Sequence, residues 1–179
     1  MTIYSDERLD RNLFGWEMPV SWVQSINPVF IIVLSGAFAA LWTKLGSRQP
    51  STPIKFALGT AIMGVAFLLF LLMPAGKNTV PLLGLALIIL IFTLAELLLS
   101  PVGLSLSTKL APQAFHTQMV ALFFLSVALG TALSGTLAEY YDTNDEAPYF
   151  TLLGLIAIAL GGALALGAPV IKRLMGGVR

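Results

Sequence analysis

The sequence predicts an all-α integral membrane protein, and three observations carry that prediction. Only 11% of the 179 residues are charged and 57% are apolar, whereas a soluble domain carries about 25% charged residues. The mean hydropathy is +0.88. Several apolar runs reach the roughly 20 residues that a helix needs to cross a bilayer. The ten-residue alternating segments of a membrane β-barrel are not seen. Cysteine is absent, which removes disulfides, thiolate metal sites and cysteine nucleophiles together. The formal net charge of +1 gives no reason to expect nucleic acid as a partner.

Residues 1–20 are expected to form an outer polar segment, with Trp16, Met18 and Pro19 near its end. Its first 18 residues hold Asp6, Glu7, Arg8, Asp10 and Arg11, so no cleavable signal peptide is read there. A membrane domain is expected over 21–175. Its first span covers about 21–45, with Trp22 and Trp42 near its ends as an interfacial belt would place them. Asn27-Pro28 lies inside this span, and Pro28 frees the carbonyl of Gln24. A turn-rich loop, Gly46 to Pro53, leads to a second span at about 54–73, where Gly59 and Gly64 are close-packing positions.

The third span covers about 81–110. The fourth, at about 117–140, holds Gly130 and Ser134 in the small-xxx-small spacing that lets backbones approach. An acidic loop, Tyr141 to Glu146, precedes the fifth span at about 149–171. Residues 176–179 are expected to be a cytoplasmic tail.

The positive residues set the orientation. Lys44, Arg48, Lys55, Lys109, Lys172, Arg173 and Arg179 fall at one set of span ends. The other set has Lys77, plus Arg8 and Arg11 in a segment that also carries Asp6, Glu7 and Asp10. The first set is therefore expected in the cytoplasm, with the N-terminus outside and the C-terminus inside a plasma (inner) membrane.

The third span carries the chemistry. Glu96, Ser100, Gly103 and Ser107 fall along one helical face, with Thr93 a turn earlier. A charge at the centre of a span costs at least about 2.5 kcal/mol, so Glu96 should face a water-filled cavity or a partner. Pro101 leaves the carbonyl of Leu97 without a donor and is expected to kink the helix. A lone acid, a polar stripe and a kink point to a substrate or ion pathway. Asn27, inside its own span, also needs a partner.

Enzymatic readings find little to stand on. One histidine, His116, builds no metal cage, and every Asp lies in a loop or tail rather than a span. His116 reads as a surface residue beside a helix start. No cofactor is expected.

Three stretches resemble one family. Gln24-Ser-Ile-Asn27-Pro28-Val-Phe-Ile31 is similar to the Q-S-x-N-P-x-F-I segment of proton-coupled oligopeptide transporters, a branch of the major facilitator superfamily. Glu96 to Pro112 resembles that family's tenth helix and the loop after it. Asp10 to Pro19 resembles its outer loop after the seventh helix. The resemblance implies a partial C-terminal half of a twelve-helix major facilitator fold, helices eight to twelve.

It further implies symport of di- and tripeptides with protons by alternating access, the proton being the coupling ion. Glu96 would receive the peptide's amino group, Asn27 would help it, and Ser100 would lie beside the pocket. Phe123 and Phe124 stand where the family often has a Trp after a Met-rich stretch. With Gln24 they are pocket-lining candidates, although packing is the first reading of both rings. The N-terminal helices of the transporter are the implied partner, beside the lipid bilayer, and this chain alone is not expected to transport. The rival readings are a five-span accessory or assembly subunit without transport activity, and an oligomeric channel lined by Glu96 and the serines.

Overall fold

The computed structural model describes residues 2–13, 15–74 and 76–175. The expected tail 176–179, Arg179 included, lies outside the described residues, as does Phe14. The chain runs through α1 (Thr2–Glu7), a hairpin of β1 (Asn12–Leu13) and β2 (Trp16–Glu17), then α2 (Val20–Leu45), α3 (Thr52–Leu69), α4 (Leu82–Lys109), α5 (His116–Ala138) and α6 (Ala147–Leu174). A 3₁₀ turn, Phe70–Leu72, extends α3. The last five helices are each long and apolar enough to cross a membrane.

Local chemistry sets the helix ends. Pro19 and Pro81 stand immediately before α2 and α4, and Pro53 and Pro148 occupy first turns, where a missing N–H costs nothing. Gly46, at φ +47°, ends α2 and donates its N–H to the Trp42 carbonyl. Lys44, Lys109, Lys172 and Arg173 sit in last turns, opposite the negative end of the helix dipole. Pro28 and Pro101 lie inside α2 and α4, which run on through them.

In lipid, helices associate by close packing and hydrogen bonds rather than by hydrophobic burial. Glycine makes that packing possible along the α3–α6 seam. A Cβ on Gly64 would lie 2.7 Å from the Gly154 carbonyl oxygen and 2.9 Å from the Ile158 nitrogen. One on Gly161 would meet Ala57 O and Ala61 N, each at 2.9 Å. Gly59 is pressed in the same way against Leu99 and the Ala95 carbonyl of α4. Among the described residues the expected approach at Gly130 is not made: nothing of them lies within 4 Å of a Cβ built there, and none of α5 is buried. The helix leans on α4 from another side, where Phe123 closes over Gly103.

The polar N-terminal segment is folded onto one end of the bundle. Leu9 forms a parallel bridge with Val80, backed by Asp10 N–H to Val80 O at 3.0 Å and Val80 N–H to Arg8 O at 2.9 Å. Leu9 and Val80 are fully buried and join Tyr4, Met18, Val23, Phe70, Leu85 and Phe150 in an apolar cluster. The rings of Phe70 and Phe150 stack at 4.4 Å, and Tyr4 meets both edge-on. This cluster fastens α1 over the ends of α3, α4 and α6.

Candidate functional site

Glu96 belongs to the middle of α4 and is half-buried. Asn27, on α2, reaches it: the Asn27 Nδ2 donates to Glu96 Oε2 at 3.2 Å. The other end of that amide accepts from Thr93 Oγ1 at 2.6 Å. Thr93 is fully buried one turn before Glu96, and its single hydroxyl proton is shared with the Ile89 carbonyl at 2.9 Å. Asn27 thus presents its acceptor side to a hydroxyl and its donor side to a carboxylate, which leaves one orientation for the amide. The bonds join α2 to α4 at the one acid found within a span.

Glu96 and Asn27 line a half-open cavity of about 720 Å³ walled by α2 to α6, with Ser5 of α1 also in its lining. That is the size range of small-ligand sites, about 300–1,000 Å³. Its walls are mainly apolar, with Val23, Phe67, Phe92 and Ile156 among them. Polar groups enter from Gln24, Thr60, Ser134 and Tyr149. Glu96 is the one carboxylate among the lining residues. An apolar chamber with a fixed carboxylate suits a ligand that carries a cationic group, since that charge must be compensated once it leaves water.

Of the residues singled out in the sequence, the structure brings Glu96, Asn27 and Gln24 to this cavity. Ser100, one turn past Glu96, is exposed and does not line it. Phe123 packs α5 on α4, and Phe124 meets it edge-on with centroids 5.6 Å apart while staying 57% exposed. Thr93 stood on the polar face in the sequence, but only the fold shows that it holds Asn27. Ser134 read in the sequence only as a packing position, and Thr60 and Tyr149 gave no signal there, because nothing local distinguishes them from other polar or aromatic residues in spans. His116 is exposed at the start of α5, its Nε2 2.9 Å from the Ala111 carbonyl. No group of three or more His, Asp or Glu able to hold a metal occurs among the described residues.

Comparison with known proteins agrees across sequence and structure. The profile of the POT family (PTR2) matches residues 1–153. The chain is 46% identical to the uncharacterised transporter YclF of Bacillus subtilis (strain 168) over 180 residues, covering 99% of this chain and 37% of that protein. It is 38% identical to the di-/tripeptide transporter of Lactococcus lactis subsp. cremoris, covering 98% of this chain and 36% of the relative. A crystal structure of peptide transporter POT, a point variant in complex with alafosfalin, superposes with a TM-score of 0.90 at 43% identity. That match covers 97% of this chain and 36% of the solved one. The chain therefore spans little more than a third of the length of the relatives it matches. On these matches, the multi-pass membrane chain described here belongs to the POT family.

Proposed function

We propose that this chain supplies part of a proton-coupled symporter of di- and tripeptides, in which Glu96 receives the amino group of the peptide. One observation carries the reading. Thr93, Asn27 and Glu96 form a hydrogen-bonded row that holds a carboxylate at the wall of a ligand-sized, mainly apolar cavity. The relatives support the substrate class, a di-/tripeptide transporter of Lactococcus lactis among them. Asn27 acts on Glu96 rather than on the peptide directly. Ser100, exposed beyond the cavity, contributes only where a further helix covers that face. The N-terminus lies outside and the C-terminus in the cytoplasm, a reading that the placement of lysine and arginine supports. Alternating access needs two halves moving around a shared site, so the helices that longer relatives carry beyond the matched third complete the machine. No observation favours the accessory-subunit or channel readings.

The test places this chain in the matching third of the Lactococcus transporter and measures proton-driven uptake of a labelled dipeptide. Glu96→Gln keeps size and hydrogen bonding but removes the charge. It should raise the half-saturating concentration at least tenfold, which is about 1.4 kcal/mol or more. An amine-blocked peptide should lose much less, having no ion pair to break. Equal losses for both peptides, at normal expression, would assign Glu96 to packing or proton coupling and end the amine-binding role.

A further inference from the structure

A second cavity, of about 430 Å³, opens between the close of α2, the start of α3 and the last turns of α4. It holds two lysines, Lys55 and Lys109, and no carboxylate lines it. Lys55 is only 9% exposed. Its Nζ donates to Gln49 Oε1 at 2.8 Å and stands 4.2 Å from the centroid of the Trp42 ring. Gln49 is itself fixed, because its Nε2 donates to the Trp42 carbonyl at 2.7 Å. Both partners of this ammonium are therefore neutral. None of the ion pairs among the described residues includes Lys55 or Lys109.

A cation taken out of water is compensated by an opposite charge or by several hydrogen bonds. An amide oxygen and a π face leave Lys55 short of both, and a second cation in the same hollow adds repulsion. An anion between them reverses both deficits. An ammonium has three donors, and Gln49 occupies one of those on Lys55. Thr52 and Ser105, each carrying a hydroxyl, line the same space. Dispersed point-charge donors and hydroxyls suit a tetrahedral anion with several acceptor oxygens better than a planar carboxylate, which prefers a guanidinium fork. We propose that this cavity binds a phosphate group, with Lys55 and Lys109 as its cationic ligands and Thr52 and Ser105 as hydroxyl donors.

Two sources offer that group. Basic pockets between membrane helices accept anionic lipid head groups, and inorganic phosphate presents the same oxygens. The test reconstitutes the chain in nanodiscs of mixed phosphatidylglycerol and phosphatidylcholine. Native mass spectrometry counts the lipids retained on release, and thermal unfolding is followed with and without millimolar inorganic phosphate.

Retention of phosphatidylglycerol at least threefold over phosphatidylcholine identifies the lipid. A midpoint raised by inorganic phosphate alone identifies the soluble anion. Either effect should fall at least threefold in Lys109→Gln, an exposed position that leaves the fold intact, and vanish in Lys55→Gln/Lys109→Gln. Lys44→Gln, an exposed lysine outside the cavity, should change neither. No lipid preference together with no phosphate shift would overturn the site. So would an equal loss in Lys44→Gln, since that reports general surface charge.

Discussion

Arg8 Nε lies 3.2 Å from Glu146 Oε1, and this pair ties the N-terminal segment to the start of α6. Arg8 Nη2 also donates to the Thr143 carbonyl at 2.8 Å, and the Tyr141 hydroxyl donates to Glu146 Oε2 at 2.6 Å. Both charged side chains are largely shielded, at 11% and 17% exposure. Arg8→Ala leaves that carboxylate without its cation and should lower stability on the order of 2 kcal/mol. Thermal unfolding of the single and double variants with Glu146→Gln checks it. Strictly additive losses would show that the pair is not coupled.

Two phenols near this pair should behave differently. Burial, then the Glu146 carboxylate, raises Tyr4 from the ordinary 10.0 to about 12, against the opposing pull of Arg8. Burial and the hydrogen bond to Glu146 push Tyr141 still higher. A raised tyrosine pKa means that the folded state favours the neutral phenol. The stabilisation is full below pH 10 and is lost as pH rises through about 12. Absorbance at 295 nm should show both phenols protonated past pH 11, with Tyr141→Phe removing the later component. The Tyr4 hydroxyl is buried without a partner among the described residues, so Tyr4→Phe should be neutral or stabilise by about 1 kcal/mol. A clear loss of stability in Tyr4→Phe would mean that its hydroxyl is bonded.

Neighbouring glycines give a matched comparison. Gly161→Ala drives a methyl against the α3 backbone and should destabilise by roughly 1–3 kcal/mol. Gly162→Ala meets nothing within 4 Å and should be neutral or slightly stabilising. Similar unfolding midpoints for the two variants would refute the seam.

Topology is open to direct labelling because the chain has no cysteine. Single cysteines at Lys77 and Asp145 should react with an impermeant thiol reagent in intact cells. Those at Arg48, Lys109 and Lys172 should not. Reaction at 48 without reaction at 145 would invert the bundle.

The five spans were legible because their apolar runs leave no other way to satisfy the backbone in lipid. Glu96 was legible because a lone acid in such a run is rare and costly. That Asn27 touches it was not, since the relative height of α2 and α4 is a tertiary property that local spacing does not encode. Gly130 shows the same limit: a small-residue pattern says that a helix can be approached, not from which side. The folded cap was hidden as well. Leu9 and Val80 lie in separate loops, and their bridge follows only once α4 has been placed.

The backbone contact of α3 with α6 has a mechanical consequence. Two rods joined along their length resist bending far more than either alone, so Ala57 to Gly64 and Gly154 to Gly161 form the stiff flank of the bundle. Among the described residues α5 contributes no buried residue and α2 contributes one, Val23. Asn27 therefore rides on a lightly packed helix, while Glu96 stands on α4, whose Ala95 and Leu99 press against Gly59 of α3. The hydrogen bond between them is the point at which any sliding of α2 along α4 would register at the wall of the cavity.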